Sequence, residues 1–112
     1  MSHGNLYFIL WGCEIETQQK ARFMAELALE KKADDVMVMD LRGISGFCDF
    51  FVLASGESTR RVQAIAENIR TGLSVKKMRV KHSEGEKEGT WILLDCGDVI
   101  AHVFYAATRA FY

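Results

Sequence analysis

The chain has 112 residues, 49% of them hydrophobic, with 14 lysines and arginines against 15 aspartates and glutamates. This length buries one core and seldom two, and a formal net charge of -1 gives no global positive field to hold a polyphosphate chain, so any nucleic-acid contact must be local. Three cysteines, Cys13, Cys48 and Cys96, are odd in number and far apart, which fits neither a disulfide framework nor a zinc knuckle and leaves buried or idle thiols in a reducing compartment.

Residues 1–12, MSHGNLYFILWG, lack the basic start, long apolar stretch and small-residue cleavage site of a signal peptide. The run from Leu6 to Trp11 is far shorter than the roughly 18 to 20 apolar residues that cross a bilayer, so a soluble, cytoplasmic protein without membrane contact is expected. GNLYF partly resembles a protease-linker remnant. Residues 1–14 are therefore set apart as an extension, native or vector-derived, and residues 15–112 are read as one domain. No proline, internal repeat or low-complexity linker divides it.

From Thr17 to Lys32, Ala21, Met24, Leu27 and Ala28 recur at spacings of three and four, which predicts a helix with Thr17 as its N-cap. Asp34 to Leu41, DDVMVMDL, predicts a buried strand closed by Arg42 and Gly43. Asp49 to Ser55, DFFVLAS, is continuously apolar, as expected of a central strand covered on both faces. A second helix is predicted from Thr59 to about Leu73, capped by Ser58, with Val62, Ile65, Ala66, Ile69 and Leu73 as its apolar stripe. Val75 to His82 can form a strand, and Ser83 to Gly89 a polar loop.

Thr90 to Phe104, TWILLDCGDVIAHVF, contains two apolar runs around Cys96-Gly97, which predicts a hairpin with that pair as its two-residue turn. Asp95 then opposes Asp98, Leu93 opposes Ile100 and Trp91 opposes His102. One face carries Ile92, Leu94, Val99, Ala101 and Val103 and suits a core. The other carries Trp91, Leu93, Asp95, Asp98, Ile100 and His102, a mixture found in recognition patches. Two opposed aspartates repel, so a cation from this chain or a partner is expected beside them. The plainer alternatives are a solvated turn for the aspartates, core packing for Trp91, and a neutral, satisfied sheet histidine for His102.

Little in the chain reads as catalytic. ASGESTRR has too few glycines for a phosphate loop, although the helix start with Arg60 and Arg61 can meet an anion. Asp40, Asp49, Asp95 and Asp98 lack the close spacing of a two-metal site, and Cys96 with His102 lacks two further ligands, so neither metal nor cofactor is expected. Lys76, Lys77, Arg79 and Lys81 suit a solvated edge that can also touch RNA phosphates.

DVMVMDLRGIS, DFFVLASGESTRRVQAIAENI and WILLDCGDVIAHVFYAATRAFY resemble the ribosomal silencing factor RsfS family, also called Iojap, across about residues 17–112. The resemblance implies an α/β fold with a mixed sheet flanked by helices, similar to nucleotidyltransferases but without their catalytic acid pair. It implies a non-enzymatic translation repressor that binds ribosomal protein fourteen of the large subunit and sterically blocks joining of the small subunit; organelle relatives act in large-subunit assembly. On that basis Trp91, Leu93, Asp95, Asp98, Ile100 and His102 are the partner-binding residues. Arg60, Arg61, Lys76 and Lys77 are a secondary contact, including to ribosomal RNA. The alternative is a metal-dependent nucleotidyltransferase-like enzyme, and a third reading is a homodimer of the free protein through the same face. Two departures from the family pattern are Cys96 at a variable turn position and the ending RAFY, beyond which many members continue.

Overall fold

The structure, a computed structural model, describes residues 12–109, with side chains from Thr17 onward. Helix α1 spans Gly12–Glu30, strand β1 Asp34–Asp40, strand β2 Phe50–Gly56 and helix α2 Thr59–Val75. Strands β3 (His82–Glu84), β4 (Trp91–Asp95) and β5 (Val99–Tyr105) follow, and a short helix α3 (Ala106–Arg109) ends the described chain. The predicted extension over residues 1–14 lies outside the described residues except for Gly12 to Glu14, the first residues of α1.

The strands form one mixed sheet in the order β1-β2-β5-β4-β3. Only β2 and β5 are parallel; every other neighbouring pair is antiparallel. The parallel pair is central, and its long connection carries α2 and the β3–β4 hairpin. Phe50, Val52 and Ala54 of β2, Ile92 and Leu94 of β4, and Val99, Ala101 and Val103 of β5 share one face. They pack against Ala21, Met24, Leu27 and Ala28 of α1 and Val62, Ile65, Ala66, Ile69 and Leu73 of α2. Burial of each large aliphatic side chain here contributes about 1.5 to 3 kcal/mol. The stripe predicted for the second helix is the stripe that is buried, and Ser58 Oγ accepts the Arg61 N–H at 3.1 Å as its N-cap.

The two helices meet closely where Gly72 faces Leu27. A Cβ on Gly72 would lie 2.5 Å from Leu27 Cδ2, so only glycine admits this approach without movement. Asn68 Nδ2 ties the pair together by donating to the Leu27 carbonyl at 2.8 Å and to Glu30 Oε1 at 3.0 Å.

Four sequence expectations are corrected. Thr17 is not a cap: α1 begins at Gly12, and Thr17 is buried inside it. Strand β1 is not buried but lies at the sheet edge with most of its side chains exposed, because only one neighbour and one face cover it. Among the described residues strand β2 has helices α1 and α2 on one face, and its other face, with Phe51 and Leu53, is half-buried. The predicted strand from Val75 to His82 is almost absent: Val75 ends α2, and only His82–Glu84 pair with β4. Residues 76–80 run past the end of β4 and find no partner strand, although Met78 and Val80 still pack on the core as the alternation suggests.

Candidate functional site

The hairpin register differs from the predicted one by two residues. Gly97-Asp98, rather than Cys96-Gly97, forms the turn, and the Cys96 N–H donates to the Val99 carbonyl at 2.9 Å. Gly97 has φ 91°, at the first central position, where a type II′ turn requires glycine. Trp91 therefore opposes Phe104, Leu93 opposes His102, and Asp95 opposes Ile100. Because strand side chains alternate with period two, a shift of two leaves each residue on its predicted face. The core assignment survives while the pairs change.

The predicted opposition of Asp95 and Asp98 is corrected by the same shift. Asp98 sits in the turn, and its carboxylate accepts from Thr17 Oγ1 at 2.7 Å and from Lys20 Nζ at 2.9 Å, both on α1. Lys20 Nζ also donates to the Cys96 carbonyl at 2.7 Å, so the expected cation comes from this chain and fastens α1 to the turn. Partial burial pushes the Asp98 carboxyl up, but the Lys20 and Thr17 hydrogen bonds outweigh it and hold the carboxyl below its ordinary range. Asp95 Oδ1 accepts the Gly97 N–H at 2.8 Å and braces the turn from the other side. Both acids are thus engaged in holding the hairpin.

The face opposite the helices is the candidate site. Met37 and Met39 of β1, Phe51 and Leu53 of β2, Ile100, His102 and Phe104 of β5, and Trp91 and Leu93 of β4 share it by register. A cavity of about 280 Å³ is lined by Met39, Phe51, Leu53, Trp91, His102, Phe104 and Arg109. Arg109 reaches in from α3, donating to Ser55 Oγ at 2.6 Å and to the Asp35 carbonyl at 2.8 Å. Trp91, 37% exposed, stacks on Phe104 with ring centroids 5.2 Å apart and donates its Nε1–H to His102 Nδ1 at 3.1 Å.

His102 is 9% exposed, and Phe51 meets its ring edge-on at 4.7 Å. Burial depresses its pKa, so the ring is neutral near pH 7, as the plainer sequence reading had it. With Nδ1 accepting from Trp91, the ring proton belongs on Nε2, which is buried and has no hydrogen-bond partner among the described residues. That reading expected a satisfied histidine; this one is satisfied on one nitrogen only. A buried unpaired N–H costs about 1 to 3 kcal/mol, so the histidine is an expensive choice at the centre of an apolar sheet.

A larger cleft of about 670 Å³ lies below, lined by the loop residues 45–49 and by Lys81, Asp95, Gly97, Asp98 and Ile100. Beside it Ile44 is 82% and Phe47 92% exposed, an apolar outcrop unusual for a surface loop. The six predicted partner-binding residues are therefore divided: Trp91 and His102 line the upper cavity, Asp95, Asp98 and Ile100 the lower cleft, and Leu93 a groove with Trp91, Glu84 and Gly85. Met37, Met39, Phe51, Leu53, Phe104 and Arg109 were missed. Extending the hairpin alternation by two residues would have found Phe104, whereas β2 hides its alternation in a continuous apolar run.

The predicted secondary contacts are not brought together. Arg60 and Lys76 lie at opposite ends of α2, roughly 24 Å apart at 1.5 Å per residue, on the helix-covered side of the sheet. Arg61 turns toward Glu57 and the Lys31 carbonyl, and Lys76 Nζ lies 5.2 Å above the Phe23 ring. Cys48 and Cys96 are buried free thiols; burial raises both, Cys96 to about 11, so neither is a ready nucleophile. Among the described residues no three His, Cys, Asp or Glu side chains gather at one point, and no helix is long and apolar enough to cross a membrane.

Residues 14–112 match the family described as ribosomal silencing factor during starvation, RsfS. The ribosomal silencing factor RsfS of Bacillus subtilis is 40% identical over 83 residues, covering 74% of this chain and 70% of that protein. A crystal structure of a Chromobacterium violaceum protein superposes with a TM-score of 0.83 at 29% identity, covering 85% of this chain and 79% of the other. One from Bacillus halodurans gives 0.79 at 35% identity, covering 85% and 89%. A family match running from α1 through the hairpin, together with 40% identity to a ribosomal silencing factor over most of both chains, makes this chain a member of the RsfS family of ribosomal silencing factors.

Proposed function

We propose that this protein represses translation by docking the open face of its sheet on ribosomal protein fourteen of the large subunit, where its bulk prevents the small subunit from joining. The observation that carries the reading is an apolar sheet face that α1 and α2 leave uncovered, with Trp91 at its rim and Met37 49% exposed. A monomer that served only as scaffold would gain by covering such a face, and contiguous exposed apolar surface marks interaction sites. Trp91 is the anchor, since a half-buried aromatic that becomes fully buried supplies much of an interface's free energy. Asp95 at the lower edge meets basic groups of the partner. The action is occlusion, without a catalytic step or cofactor, in the cytoplasm where subunits join. Any contact with ribosomal RNA is peripheral, through Lys77, Arg79 and Lys81, which are exposed on the segment that joins α2 to β3.

Co-sedimentation of the protein with large subunits, small subunits and joined ribosomes tests this. Selective binding to large subunits is expected, weakened by Trp91→Ala by about 2 kcal/mol or roughly 30-fold. Equal binding to both subunits, or none, would refute it. Sedimentation of the protein alone separates a homodimer built on the same face, which Trp91→Ala would dissociate.

A further inference from the structure

The open face contains one group that its packing does not explain. Leucine or phenylalanine would fill the His102 site without stranding a buried Nε2, yet an imidazole stands there whose one side-chain hydrogen bond among the described residues is to the Trp91 indole. That bond joins two strands diagonally, because the residue opposite Trp91 is Phe104 and the one opposite His102 is Leu93. The three rings form a cluster: His102 is nearly parallel to Phe104 at 13°, and Phe104 stacks under Trp91. The stack on Phe104 sets the plane in which the indole lies, and the bond to His102 sets the direction its N–H faces within that plane, a direction whose ordering on binding would otherwise cost affinity.

We propose that His102 is a positioning residue, holding the Trp91 indole in one orientation so that the docking face is preformed before its partner arrives. This deepens the reading above and rests on it for the partner. The hold works only with neutral imidazole. A proton on Nδ1 would point at the Nε1–H of Trp91 and replace an attraction with a clash of two donors. The groups around the ring oppose that proton. Arg109 brings a cation into the same cavity from α3, Met39, Phe51 and Leu53 from β1 and β2 are uncharged, and on β4 the nearest acid, Asp95, is turned to Gly97. The anchor is therefore set at neutral pH and released in acid.

The test is made on the full chain in a Trp11→Phe background, where Trp91 is the single indole. Its Nε1–H resonance is followed by nuclear magnetic resonance, and large-subunit binding is measured between pH 7.5 and 5.5. His102→Leu removes the acceptor, while His102→Asn keeps one near the Nδ1 position without a titrating ring. The indole N–H is expected to be protected from exchange in the parent and in His102→Asn and unprotected in His102→Leu, with all three folded by thermal melting. Binding should weaken several-fold in His102→Leu, be largely kept in His102→Asn, and fall with acid only in the parent. An unprotected indole in the parent, or protection and affinity unchanged in His102→Leu, would overturn the proposal. If the parent chain fails to bind large subunits at all, the functional reading falls, and the indole resonance alone decides whether His102 holds Trp91.

Discussion

His102 and Cys96 show how burial sets the chemistry of single side chains. The His102 pKa lies below its ordinary value because burial disfavours the cation, so the unfolded chain takes up a proton before the folded one does. Stability from this group is complete above about pH 6.5 and is lost as the pH falls below it. His82 acts in the opposite sense: its hydrogen bond to Glu84 raises its pKa, so its contribution grows in acid and wanes above its folded pKa. Urea unfolding of a His82→Ala variant at pH 7.5 and 5.5 isolates His102, and a lower midpoint at pH 5.5 is expected, with the difference reduced in His82→Ala/His102→Asn. For Cys96, burial raises the thiol to about 11 despite the opposing Lys20 cation. Iodoacetamide at pH 7.5 followed by peptide mapping should leave Cys96 and Cys48 unmodified in the folded protein and alkylate both in urea.

The elements end by the same device. After α1, Lys32 takes φ 60° and the Ala33 N–H donates back to the Ala28 carbonyl at 3.3 Å. After α2, Lys77 takes φ 61° and the Met78 N–H donates to the Leu73 carbonyl at 2.8 Å. Both closures have the left-handed residue that such caps favour, but with a lysine where glycine is usual, and an L side chain there is strained. Lys32→Gly and Lys77→Gly are each expected to stabilise the protein by about 0.5 to 1 kcal/mol, read as a rise in the urea midpoint with unchanged slope. These closures also account for the missing strand after α2. The pattern of Met78 and Val80 was legible, but pairing needs a neighbour, and β4 does not extend that far.

For the whole molecule, the decisive feature is that both long helices lie on the same side of a five-stranded sheet. The opposite side carries Met37 and Met39 exposed on β1, whereas Met24 is fully buried under the helices. Dilute peroxide should therefore oxidise Met37 and Met39 in the free protein and spare Met24. Adding large subunits is expected to slow oxidation of Met37 and Met39 several-fold. Unchanged rates in a complex that does sediment would move the docking surface elsewhere, toward the exposed Ile44 and Phe47 beside the lower cleft.

The periodicity of α2, the Ser58 cap and the two faces of the hairpin were determined by the sequence alone, because each depends on residues within a few positions of one another. The face assignment withstood the wrong turn, since a two-residue shift preserves strand parity. The family, too, was legible from three separated blocks. The tertiary structure decided which side of the sheet the helices left open, because in a continuously apolar strand such as β2 burial on one face and on two look alike. It also decided that Asp98 meets Lys20 across 78 positions and that Trp91 bonds to His102 rather than lying directly opposite it. Those contacts depend on where α1 crosses the turn and on which residues form the turn, and neither is a local property of the chain.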